Sequence, residues 1–215
     1  MKFRQKFKNA CKTIRNFGLV ALVSAPFIFN SATANADSVE IAPTNKDVTL
    51  DMKLAGDIAP RTSFFARNMA SLDYENKTGY FGLFDLMFNV VDNLLIVGEA
   101  QVVPEEGIIP RAGLGYSVKL GDADFYISPT ILTQSNPNLE IFASASYAPN
   151  FGKAGLYAYV EDVTNVGKEG HNYSIQRIRA GPTFANGKYS IGGALDLTEG
   201  KEFSWKAGGF AKVNF

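Results

Sequence analysis

The stretch KEFSWKAGGFAKVNF, Lys201 to Phe215, decides how the chain folds. Taken in steps of two, one set is Phe203, Trp205, Ala207, Gly209, Ala211, Val213 and Phe215, and it carries no charge. The other is Ser204, Lys206, Gly208, Phe210, Lys212 and Asn214, with Lys206 and Lys212 its charged members. Successive side chains of a strand point to opposite faces, so this alternation predicts a β-strand with two unlike faces rather than a helix.

Going back along the chain, the same pattern recurs about every dozen residues from Thr62 onward. Strands are expected at 62–74, 79–91, 94–103, 109–120, 123–133, 137–148, 153–163, 172–185, 188–198 and 202–215. Turn chemistry separates them, as at Asp92-Asn93, Gly121-Asp122, Pro149-Asn150 and, most sharply, Asn186-Gly187. Only 164–171 reads as a longer loop. Residues 37–61 are harder to assign. Val48, Leu50, Met52 and Leu54 alternate with Thr49, Asp51 and Lys53, which fits either an extra strand or an arm, and Pro60 ends it. The expectation is an all-β fold, an up-and-down antiparallel meander closed into a β-barrel of about ten strands, with twelve as the upper figure.

Sorting every strand by parity separates charge from grease. One face carries side chains such as Phe84, Leu86, Ile96, Leu114, Ile127, Ile141 and Leu195. The other carries Arg67, Asp85, Glu99, Arg111, Lys119, Glu140, Glu161, Arg177, Arg179, Asp196 and Lys206. Random placement would divide the charges evenly between the faces. The phase slips near Ile175, where a bulge would reset it.

Parity does not say which face is enclosed. A transmembrane barrel turns the apolar face to lipid and encloses the charges. A soluble exported carrier of lipocalin or fatty-acid-binding type does the reverse, around an apolar ligand. Expected strand lengths of about 10 to 13 residues match the roughly 9–11 that a tilted strand needs to cross a bilayer. Aromatics of the apolar face, including Phe64, Tyr74, Tyr80, Phe88, Phe125, Tyr147, Phe184, Tyr189 and Trp205, gather near strand ends, as interfacial girdles do. The charged face also carries Phe65, Phe81, Tyr126, Phe142, Tyr157, Tyr159 and Phe210, which suits a packed lumen.

The N-terminus agrees with export. Lys2, Arg4, Lys6, Lys8, Lys12 and Arg15 precede an apolar run from Phe17 to Phe29, and small residues follow up to Ala36. This reads as a cleaved secretory signal peptide over 1–36, its apolar run being far short of the roughly 20 residues of a spanning helix. Six of the 21 basic residues and none of the 21 acidic ones precede Asp37, so the remainder holds 15 basic against 21 acidic side chains, a net charge of −6. That balance argues against nucleic acid as a partner. The single cysteine, Cys11, lies in the leader, so no disulfide or thiolate metal site is expected after cleavage.

The last residues resemble the C-terminal β-signal of bacterial outer-membrane proteins. Lys206 stands at its polar position, Gly208 at its glycine, Val213 at an alternate hydrophobic and Phe215 at the final aromatic, while Ala211 is smaller than the usual hydrophobic. The resemblance covers about ten residues and points to no specific family. It implies an outer-membrane location, the lipid bilayer as surroundings, and insertion by a barrel-assembly machinery. The soluble alternative would instead be periplasmic or secreted.

Signals for catalysis are thin. His171 is the sole histidine, with Ser174 and Asp162 or Glu169 near it at no diagnostic spacing. Asp162, Asn165, Glu169 and Asn172 do not follow the spacing of a calcium loop. No cofactor, metal or enzymatic step is expected. The two signs of the charged face nearly balance, which favours a lumen filled by its own ion pairs, or at most a narrow channel. The short connections argue against a large protein-recognition platform.

Overall fold

The structure is a computed structural model and describes residues 37–134 and 136–215; the signal-peptide reading of 1–36 lies outside the described residues. Twelve strands are present among the described residues: β1 (Ser38–Pro43), β2 (Asp47–Ala59), β3 (Thr62–Asp73), β4 (Thr78–Val91), β5 (Leu94–Val103), β6 (Gly107–Leu120), β7 (Ala123–Leu132), β8 (Leu139–Tyr147), β9 (Ala154–Gly167), β10 (Gly170–Phe184), β11 (Tyr189–Glu199) and β12 (Ser204–Asn214). Each pairs antiparallel with its neighbours in sequence, and β1 pairs with β12 to close the barrel. Closure leaves no sheet edge unpaired.

The barrel has twelve strands rather than ten, because residues 37–61 fold as β1 and β2 and complete the wall. The alternation of Asp51 and Lys53 with Leu50 and Met52 was a strand, and β1 is too short to show a period of its own. The expected loop at 164–171 is a tight hairpin instead. Val163 to Val166 continue β9, Gly170 adopts φ 107 in the turn, and β10 begins there. The register irregularity falls between His171 and Tyr173, slightly before the position expected near Ile175.

The seam is short. β1 and β12 pair only from Ser38↔Asn214 to Ile41↔Ala211, with one further bridge, Thr44↔Gly208. Above it the β1–β2 turn does the joining: Asn45 N–H donates to Ala207 O at 2.9 Å, and Ala207 N–H donates to Asn45 Oδ1 at 3.0 Å. A Cβ on Gly208 would stand 2.0 Å from Pro43 O, so only glycine lets the strands approach here.

The faces sort as parity predicts. Phe84, Leu86, Ile96, Leu114, Ile127, Ile131, Val160 and Ile191 are exposed on the outside. Arg67, Asp85, Arg111, Glu140, Glu161 and Arg179 are buried inside. The apolar face therefore surrounds the barrel, and the reading as a soluble cup around an apolar ligand does not hold. The girdle is lopsided: Phe64, Phe88, Tyr116, Phe125, Tyr147, Phe184 and Tyr189 lie toward the strand ends at the rim that carries both described chain ends, whereas Tyr80 and Trp205 lie toward the opposite rim. Tyr74 does not join either ring; its hydroxyl donates to Thr44 O at 2.6 Å.

Candidate functional site: the ionic lumen

The lumen is built by inward positions of all twelve strands, and its ionic groups divide it. Arg67 on β3 and Glu161 on β9 stand on strands six apart in a ring of twelve, that is, on opposite walls. They meet nonetheless: Arg67 Nη1 donates to Glu161 Oε2 at 2.7 Å. The other edge of the guanidinium is held by Asp51 on β2, with Nε to Oδ1 at 2.9 Å and Nη2 to Oδ2 at 2.6 Å. Glu161, 0% exposed, also accepts from Tyr159 Oη at 2.6 Å and from Arg177 Nη1. Lys53 Nζ lies 3.9 Å away and sits over the Tyr159 ring. A buried carboxylate needs such company, since taking an ion out of water costs several kcal/mol unless it is paired and hydrogen-bonded.

One side of this bridge is closed. Arg179 on β10 donates to Glu40 on β1 at 2.7 Å and to Asp196 on β11 at 2.5 Å. Lys206 on β12 reaches Asp47 on β2 at 2.5 Å, and Thr44 Oγ1 donates to the other oxygen of that carboxylate at 2.7 Å. Between them Tyr157 and Phe210 pack with ring centroids 6.0 Å apart, against Ala42 and Ala194. Here five bases (Lys53, Arg67, Arg177, Arg179, Lys206) meet five acids (Glu40, Asp47, Asp51, Glu161, Asp196) through ion pairs.

The other side, along β4 to β8, is open. Its inward positions include Gly113, Gly115, Ser128, Ser144 and Ser146, which leave room. A cavity of about 1610 Å³ includes this side, lined from Asn89, Ser117 and Asp124 at one rim to Gln134, Asn138 and Tyr173 at the other; toward the rim of the described chain ends it also spreads over the closed side, where Lys53, Tyr157, Lys212 and Asn214 line it. At mid-height it meets Asp85, Glu99, Gln101, Arg111 and Glu140. Arg111 Nε donates to Thr130 Oγ1 at 2.9 Å and lies 3.4 Å from Glu99 Oε1. Glu140 accepts from neutral donors, Gln101 Nε2 at 2.5 Å, Tyr173 Oη at 2.8 Å and Asn165 Nδ2 at 3.3 Å. Asp85 Oδ1 is buried with no hydrogen-bond partner.

Ten of the eleven expected lumen residues thus lie inside, in two groups. Lys119 does not: it has inward parity, but one residue before the end of β6 its side chain is 63% exposed at the rim, 3.8 Å from Asp124. Sequence reasoning did not single out Glu40, Asp47, Asp51 and Lys53, because they lie in the segment left unassigned. Tyr173 was hidden among the abundant aromatics, while Tyr159 was expected on the charged face but not as a donor to Glu161. The β-signal positions take distinct places: Lys206 pairs with Asp47, Gly208 lies at the seam, and Val213 pairs with Val39 and Tyr189. Phe215 follows β12, 68% exposed.

Near the hairpin of β9 and β10, His171 Nε2 and Ser174 Oγ are 2.9 Å apart, Ser174 Oγ is 2.8 Å from Thr164 Oγ1, and Thr164 donates to Asp162 at 2.8 Å. The acid therefore ends a chain of hydroxyls and does not orient the imidazole, as a nucleophile–base–acid relay requires. Asp162 faces outward and Asn165 inward, so the oxygens weighed for calcium do not converge. Among the described residues no group of three or more His, Cys, Asp or Glu side chains is placed to hold a metal ion.

No family model and no curated protein matches the chain. Among solved structures it is similar to a chain from a study of the in-meso crystallisation of membrane proteins, with 9% identity, 84% of each chain covered and a TM-score of 0.46. It is also similar to two tryptophan-substituted mutants of the Rh. blastica porin. One has 8% identity, 84% of this chain and 99% of that one covered, and a TM-score of 0.29; the other has 8%, 83%, 97% and 0.28. These overlaps are loose. The barrel's own surfaces are an apolar exterior around an ionic interior.

Proposed function

We propose that this chain is a small outer-membrane β-barrel with a passive, porin-like role, and that the open half of its lumen is a narrow polar passage. The observation that carries this is the cavity of about 1610 Å³ beside the Arg67–Glu161 bridge, inside a wall whose outward side chains are apolar. An exterior of that kind is stable against hydrocarbon and would aggregate in water. The bridge and the Tyr157–Phe210 packing fill the lumen on the side of β9 to β12. The passage is therefore far narrower than the aqueous pores of barrels with 16–18 strands. No catalytic step is assigned, and barrel-assembly machinery is the partner implied by the β12 sequence.

The test is the full chain, processed by its host and reconstituted in a planar bilayer. Small, steady conductance steps are expected. Porin-sized steps, or recovery of the protein from the periplasm without detergent, would overturn the proposal.

A further inference from the structure

The charges in the lumen are unevenly neutralised. The closed half has a base for each acid and one more, Lys212 on β12, whose ammonium lies over the Tyr157 ring. The open half sets three carboxylates, Asp85 on β4, Glu99 on β5 and Glu140 on β8, against one guanidinium, Arg111 on β6. Asp85 and Glu99 are direct cross-strand partners, where like charges repel. Glu140 acts on both as a further like charge. Arg111 is already shared among Thr130, Asn138 and Glu99. Asp85 is only 6% exposed, lines the cavity, and has an oxygen without any donor.

We propose that this acidic wall is a subsite for a cation, namely the ammonium group of a small amine solute, seated against Asp85 and Glu99. The proposal rests on the passage above and names what it favours. Asp85 has no base of its own and its neighbour Glu99 only a share of Arg111, so a cation brought by the solute stabilises the two together. An ammonium offers three donors on a compact charge, enough to serve Asp85 and its neighbour together. The carboxylates do not converge as metal ligands do, which suits an organic cation better than a coordinated ion.

Two measurements on the full-length, reconstituted protein test this. In a potassium chloride gradient the reversal potential should show cation preference, and Asp85→Asn should lower the cation-to-anion permeability ratio at least about threefold, with Glu99→Gln acting in the same direction. In detergent, 1,4-diaminobutane should raise the unfolding temperature of the parent protein but not of Asp85→Asn. Conductance without preference, together with equal diamine effects, overturns the subsite and leaves the passage standing. No conductance, with stabilisation that needs Asp85, overturns the passage and keeps the subsite. Neither conductance nor stabilisation overturns both.

Discussion

Arg67 and Glu161 bring charges from opposite walls to 2.7 Å in a place water barely reaches. Removing one partner strands the other, and breaking a buried pair in this way costs about 3–5 kcal/mol. Glu161→Ala is therefore expected to lower the urea midpoint of the reconstituted barrel sharply, since Arg177 and Tyr159 lose their acceptor and Arg67 and Lys53 are left with Asp51 alone. Arg67→Ala should also widen the conducting space and raise the conductance. Equal conductance in the parent and the variant would mean that the bridge does not narrow the lumen. Gly208 is the second decisive residue. A methyl group there meets Pro43 O at 2.0 Å, so Gly208→Ala should add at least about 1–3 kcal/mol of overpacking strain at the seam. A smaller fraction migrating as the compact form on an unheated gel would show it.

At the scale of the strand, what matters is which side chain faces out. Leu114 lies mid-way along β6, 52% exposed on the outside, with Ile96 opposite it on β5. If that surface meets lipid, Leu114→Arg costs about 2–4 kcal/mol near the midplane. Denaturation from bilayers should show the loss, and an unchanged midpoint would argue against lipid contact. Ten strands were legible because each is long, alternates cleanly and ends in turn residues such as Asp92-Asn93 and Asn186-Gly187. β1 escaped because six residues give too few periods to tell a strand from an arm. The β9–β10 hairpin was mistaken for a loop because its tip, Gly167 to Asn172, is polar and glycine-rich, which is the composition of a loop as much as of a tight turn.

At the scale of the whole barrel, closure turns a two-faced sheet into a greasy exterior and an ionic interior. Local alternation in Lys201 to Phe215, repeated strand by strand, settles that division, because a strand cannot avoid pointing neighbouring side chains to opposite sides. It also makes residues such as Arg67, Asp85 and Glu161 lumen candidates without any knowledge of their neighbours. Which of them meet is another matter. Arg67 and Glu161 are far apart in the chain and become partners only when twelve strands set β3 facing β9 across the axis. The surplus of acid around Asp85 is equally invisible in a chain whose charged face looks balanced. It arises because β1 to β3 and β9 to β12 take nearly all the bases for their own acids. Strand number, the direction in which each face looks, and the partition of charge across the lumen depend on long-range pairing, and no local pattern contains them.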